Sequence, residues 1–213
     1  MSSANISDGD GYPRNPTLGS ELQGQLPGCR NVGWAFVAKL ELTAAEAAAA
    51  ASAAVHAAVT DTGVEQVVTT GLTDPPYSRN VTATAGGTAG DIAAVAVTVE
   101  GRNEAGQFIT ETLPAFTVNT AGTVQGNKAF KSVSKVTIPA HDGLGATTAV
   151  GFGDKVGLSH YLDGNAVLFA TLNGVREGTA PTVVADADEL EKNTADLNSA
   201  LNGTPVNIYY LVG

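Results

Sequence analysis

Val95-Ala-Val-Thr-Val-Glu-Gly-Arg-Asn-Glu-Ala-Gly-Gln-Phe-Ile-Thr-Glu-Thr-Leu113 is the stretch on which the fold turns. Val95, Val97 and Val99 recur every second residue, the period of a strand with one buried face. Ile92 to Glu100 is therefore expected to be a strand. Gly101 to Gly106 supplies turn residues and Gln107 to Leu113 resumes the alternation, so the pair reads as a hairpin. The same texture continues on both sides. Arg79 to Ala85 alternates, Gly86 to Gly90 is a flexible turn, and Ala115–Thr120, Ala129–Val133, Lys135–Ile138 and Thr147–Phe152 extend the series. Short strands about 10 residues apart, with glycine turns between them, predict a β-sandwich or small barrel over residues 73–158.

The flanks read differently. Trp34, Phe36, Ala38, Leu40 and Leu42 fall on one face of a strand over 33–42, with Lys39 and Glu41 on the other. Thr43-Ala-Ala-Glu46 then fits a capping box, in which the Thr hydroxyl and the Glu carboxylate satisfy each other's backbone amides. Eleven of the fifteen residues from Ala44 to Ala58 are alanine, the best helix former. A helix over 44–60 is expected, ending near Gly63 and burying Val55 and Val59; a low-complexity linker is the competing reading. Val64–Leu72 reads as a strand, closed by Thr73-Asp-Pro-Pro76, since tandem prolines do not sit in a central strand. Beyond Leu158, Val167–Leu172 and Val175–Glu177 flank Asn173-Gly174, a favoured hairpin turn. Thr182–Ala185 and Val206–Val212 are further strands, with Ile208 and Tyr210 on one face. Asp186–Asn193 fits a short helix or a polar edge strand equally well.

The predicted fold class is thus mainly β with one Ala-rich α-helix. An α+β base domain built from residues 33–72 and 159–213 carries the inserted sandwich. Residues 1–32 are punctuated by five glycines and three prolines and keep no apolar period. They read either as a disordered tail or as an extended arm that orders on a neighbour, with Tyr12, Leu18, Leu22 and Leu26 as isolated apolar contacts.

Composition narrows the function classes. The formal net charge is −10 and charged residues make up 15%, against about 25% in an average soluble domain. An acidic chain with scattered lysines lacks the clustered cations that phosphate binding needs, so direct nucleic-acid binding is not expected. Cys29 is the single cysteine, which rules out an intrachain disulfide and a cysteine-based zinc site and fits synthesis in a reducing cytoplasm. Met1–Asn5 does not resemble a secretory leader. No window approaches the roughly 18 apolar residues of a membrane span.

The chemical inventory is thin. His56, His141 and His160 share no metal-ligand spacing. The adjacent pair His141-Asp142 could orient an imidazole, but side chains of adjacent residues usually point apart; His160 follows Ser159. No Gly-x-Ser-x-Gly elbow occurs. Gly86-Gly-Thr-Ala-Gly-Asp91 lacks the Lys-Ser/Thr ending of a phosphate loop. Asp186, Asp188, Glu189 and Glu191 lack the central glycine of a calcium loop, and Asp8-Gly-Asp10 is too short to fill a coordination sphere. Tyr209-Tyr210 on a terminal strand suggests one core and one rim tyrosine more than a sugar platform. Neither catalytic residues, nor a metal site, nor a cofactor is expected.

The Val95–Leu113 hairpin resembles a motif of virion proteins of tailed bacteriophages. So do Gly126-Asn-Lys-Ala-Phe-Lys-Ser-Val-Ser-Lys-Val-Thr-Ile138, Val150-Gly-Phe-Gly-Asp-Lys-Val-Gly-Leu158 and Leu197-Asn-Ser-Ala-Leu-Asn-Gly203. The resemblance covers roughly residues 75–213 and leaves out the arm and the Ala-rich run. It implies a non-enzymatic structural component, best matched by a capsid decoration (cement) protein with an Ig-like β-sandwich module. The implied partners are the major capsid protein and further copies of this chain, as a trimer or another homo-oligomer. The implied place is the capsid surface of the virion, after synthesis in the bacterial cytoplasm. A tail-tube or neck subunit is the alternative within the class; a carbohydrate-binding or host-adhesion module is the alternative outside it.

Overall fold

The computed structural model describes residues 36–212. The chain is mainly β, and every strand pairing is antiparallel. In order the strands are β1 (Phe36–Leu42), β2 (Ala51–Thr60), β3 (Gln66–Val68), β4 (Arg79–Gly87), β5 (Thr98–Arg102), β6 (Phe108–Thr112) and β7 (Gly122–Phe130). They continue with β8 (Ser132–Ile138), β9 (Ala146–Gly157), β10 (Val167–Leu172), β11 (Val175–Arg176), β12 (Thr182–Val184), β13 (Thr194–Asp196) and β14 (Val206–Val212).

They form three sheets, ordered β1-β14-β10-β11, β12-β13-β9-β4-β7 with β2 also on β9, and β3-β8-β5-β6. The second and third sheets face each other across one buried cluster. Val81, Ala83 and Ala85 of β4, Phe130 of β7 and Val150 of β9 meet Val99 of β5 and Val136 and Ile138 of β8 there. A second cluster lies under the first sheet and takes Leu40, Leu42, Ile208 and Tyr210. β1 pairs with β14 from Phe36↔Val212 to Leu42↔Val206, so the two ends of the described chain lie side by side. β9 serves both clusters. Val150 and Phe152 enter the first, and Val156, with Leu158 just past the strand's end, the second. Its whole length is flanked on one edge by β4, and the other edge is divided between β2 and β13.

The opening hairpin forms as β5 and β6, with Thr98 opposite Thr112 and Arg102 opposite Phe108. Val97 and Val99 are buried as the alternation requires. Ile92–Val97 is not a ladder strand, however. It is held by irregular bonds in which the amides of Leu113, Phe116 and Asn119 donate to the carbonyls of Val97, Val95 and Ile92. Ala115–Thr120 is likewise irregular. The Asn173-Gly174 turn has both residues at positive φ, 52° and 75°, which matches the twist of the flanking strands.

The expected helix over 44–60 does not form; the Ala-rich run makes one turn and an irregular link, and from Ala51 it is a strand, β2. The capping box is real but closes only one turn. The Thr43 amide donates to Glu46 Oε2 at 2.9 Å, the Glu46 amide to Thr43 Oγ1 at 3.3 Å, and the Ala47 amide to Thr43 O at 2.9 Å. The next carbonyls, which a helix would pair four residues on, are taken by distant donors. Ala47 O accepts from the Gly203 amide at 2.9 Å and Ala48 O from the Arg79 guanidinium at 2.5 Å. Val55 O accepts from the Thr73 amide. An alanine helix of this length is marginal alone, whereas β9 offers an edge that must be paired. Val55 and Val59 still pack inward, with the ladder to β9 shifting register between His56 and Val59. At Gly151 of β9 the Ala51–Ser52 backbone passes so close that any Cβ would collide with it.

Candidate functional site

The residues singled out for chemistry lie in separate places and are each engaged structurally. His56, on β2, bonds through Nδ1 to its neighbour's carbonyl, Ala57 O. His141 is buried. Its Nδ1 accepts from the Ala93 amide at 3.2 Å, which leaves Nε2 to donate to Thr148 Oγ1 at 2.9 Å, and its ring stacks on Phe116. Asp142 is exposed and does not touch that imidazole; its amide donates to Asp91 O. His160 Nδ1 lies 2.8 Å from the Tyr210 hydroxyl and 3.2 Å from Ser159 Oγ. Burial raises the Tyr210 phenol above its ordinary value, with the Ser159 bonds pulling the other way. Tyr210 faces the core and Tyr209 the rim.

The glycine turn after β4 packs against the loop before β9. Asp91 closes it, accepting from the Gly145 amide at 2.9 Å. The acidic run becomes a 3-10 turn at Leu190–Lys192. Asp186 Oδ1 accepts from the Asp188 and Glu189 amides. Lys128 bridges Glu189 and Glu191, each at 3.1 Å, and Lys192 pairs with Asp186 and Glu189. Burial pushes the Glu191 carboxyl up, but its backbone bond, the Asn103 amide and the Lys128 ammonium outweigh it and hold it below the usual range. Among the described residues no group of three or more His, Cys, Asp or Glu is placed to hold a metal.

Two surfaces stand out. The first is the outer face of β1-β14-β10-β11. Tyr209 and Phe169 stack with centroids 4.6 Å apart, Lys39 lies over Tyr209 and Arg176 over Phe169, so two stacked rings flanked by a cation at each end cross the strands. At the start of β1, Phe36 is 57% and Val37 56% exposed, and the edge of β1 away from β14 meets no other described strand. Residues 1–35 join the fold here. Tyr12, Leu18, Leu22 and Leu26 lie outside the described residues.

The second is a polar cavity of about 360 Å³ on the β12-β13-β9-β4-β7 sheet. It opens where β2 leaves the edge of β9 and β13 takes over. Thr82, Thr123 and Gln125 line it from β4 and β7, Ser52 from β2, and Asp154 and Asp196 from β9 and β13. Beneath Asp154 lies Arg79, fully buried, with Nη2 3.0 Å from Asp154 Oδ1 and its guanidinium 4.7 Å from the Phe152 ring centroid. Burial pushes the Arg79 pKa down to about 10, with Asp154 acting in the opposite sense. Burial, then the charge of Asp154, raises the Asp196 pKa. Sequence reasoning missed this site. Arg79 shares the core-facing parity of Val81, Ala83 and Ala85, and a charge at that parity is the one signal that was present. Nothing local linked it to Asp154 or Asp196.

Comparison with protein-family models, with curated proteins and with solved structures returns no match.

Proposed function

We propose that this chain is a structural protein of a tailed-phage particle, a capsid decoration protein that seats on the outer surface of the assembled head and stabilises it. In this reading the two facing sheets form the β-sandwich module. Residues 1–32 form an arm that reaches the major capsid protein or a neighbouring copy, and the working unit is a homo-oligomer. The observation that carries the reading is the launch point of the arm. The chain enters at a sheet edge that meets no other described strand, with Phe36 and Val37 exposed beside it, where a segment arriving from the N-terminal side has strand edge and apolar surface to share with a partner. The internal use of His141 and of the Lys128 carboxylate cluster is compatible with a protein whose work is contact.

Deleting residues 1–32 tests this. The truncated chain is expected to fold and to lose occupancy of purified heads; undiminished binding would refute the arm. The second reading, a tail-tube or neck subunit, is favoured by Phe108, 59% exposed on the edge strand β6. A tube subunit assembles into rings or tubes alone at high concentration, whereas a decoration protein remains a small oligomer and binds only shells.

A further inference from the structure

We propose that Lys155 and Asn127 join through an intramolecular amide (isopeptide) bond that staples β9 to β7 across the intervening β4. Lys155 Nζ lies 2.7 Å from Asn127 Oδ1 and 3.4 Å from Gly126 O. With a carbonyl bond of about 1.2 Å, the first contact places that nitrogen roughly 3–4 Å from the carboxamide carbon, a range that includes the near-attack separation. The backbone is built to hold the pair. Between Asn80↔Ala129 and Thr82↔Gln125, Val81 of β4 faces three residues of β7, Gly126 to Lys128. Between Arg79↔Val156 and Val81↔Phe152, Asn80 faces three residues of β9, Gly153 to Lys155. Bulges re-aim side chains out of the ladder, and these two flank β4 at one level. Asn80, fully buried, ties them together. Its Nδ2 donates to Gly126 O at 3.2 Å and its Oδ1 accepts from the Lys155 amide at 3.1 Å. Groups fixed in this way can react with effective molarities of about 10⁵–10⁸ M.

Glu111 of β6 is the proton carrier. Its Oε1 accepts from the Asn127 amide at 2.6 Å and from the Lys128 amide at 3.3 Å, so the carboxyl is clamped onto the bulge that carries Asn127. A Cβ at Gly126 would collide with Glu111 Oε2, and the glycine admits the acid. Burial raises the Glu111 pKa, against the pull of those two amides and of the Lys128 and Lys155 charges. A carboxyl of that kind suits a group that takes up a proton and returns it. The Lys155 ammonium gives a proton to Glu111, directly or through one water, and the freed amine attacks Asn127 Cγ. The Nζ–Cγ bond forms and the Cγ–Nδ2 bond breaks as Glu111 returns the proton to Nδ2. The departing nitrogen also takes the attacking amine's second proton and leaves as ammonium. Nothing is oxidised or reduced, and no co-reactant is needed. With Cys29 the single cysteine, this bond gives the chain a covalent tie that no internal disulfide can supply.

Intact-mass measurement on the purified full chain, followed over days near neutral pH, reads the bond as the loss of one ammonia. Peptide mapping should find a branched peptide joining the segments of Asn127 and Lys155. Lys155→Arg and Asn127→Ala should each keep the full mass. Glu111→Gln should slow the loss by about 10²-fold or more. Circular dichroism shows whether each variant is folded, and either of the first two suffices if the other is not. A parent chain that keeps its full mass would overturn the proposal. So would ammonia loss mapped to a linear peptide, such as that of the exposed Asn173-Gly174 turn. Cross-linking of folded Glu111→Gln at the parental rate would overturn the part assigned to Glu111.

Discussion

Replacing Arg79 by alanine should be among the most damaging single changes in this fold. The side chain is fully buried and makes three separate contacts: Asp154 at 3.0 Å, Ala48 O at 2.5 Å and the face of Phe152. Truncation strands the Asp154 charge, leaves the Ala48 carbonyl without its donor and opens a void at the end of β4. Removing one partner of a buried pair typically costs about 3–5 kcal/mol. Asp154 retains 29% of its side-chain exposure, so water partly compensates it and the loss should fall toward the lower end of that range. Against a total stability of about 5–15 kcal/mol such a loss moves a urea midpoint plainly, and equilibrium denaturation followed by circular dichroism reads it. The burial that lowers the Arg79 pKa makes the pair expensive to bury, so Arg79→Met combined with Asp154→Asn should recover part of the loss, the Ala48 carbonyl still lacking its donor. A cost below about 1 kcal/mol for Arg79→Ala, far under the usual penalty, would refute the assigned role, and so would a double variant no better than the single one.

Two further outcomes follow from the same contacts. Glu191 has a folded pKa below its ordinary value, so its contribution is complete above that ordinary value and is lost as pH falls through the folded one. Glu191→Gln should therefore cost about 1–3 kcal/mol near neutrality and flatten the acid limb of the stability profile; a limb as steep as the parent's would count against the Lys128–Glu191 contact. Gly151→Ala drives a Cβ into the Ala51–Ser52 backbone and should cost about 1–3 kcal/mol. Amide exchange should rise selectively across β2, and unchanged protection there would contradict the close approach.

The parts of the fold legible in the sequence are those whose burial repeats along a single strand. Lys39 and Glu41 point out while Leu40 and Leu42 point in, and Ile208 and Tyr210 share a buried face. The hairpins at β5–β6 and β10–β11 were readable for the same reason: alternation and turn chemistry are local. Asn80 and Asn193 were not, although both are fully buried. Asn193 accepts from the amides of Leu162 and Asp186 and donates to Asp186 O and Glu189 O, and its role exists only once those loops converge. The polar cavity was hidden likewise, because the residues that line it come from five strands with no shared motif.

By itself the sequence determined that the chain is mainly β, where the β5–β6 and β10–β11 hairpins turn, and which faces of β4 and β14 are apolar, since side-chain parity and glycine punctuation act over a few residues. The Ala-rich run was decided by the tertiary structure alone. Alanine propensity and the Thr43–Glu46 box favour a helix locally, and one turn forms. Beyond it the carbonyls of Ala47 and Ala48 are claimed by Gly203 and Arg79, and the open edge of β9 claims the backbone of Ala51–Thr60. A helix would have left that edge unpaired, and the hydrogen bonds of a sheet outweigh a propensity of a fraction of a kcal/mol per residue.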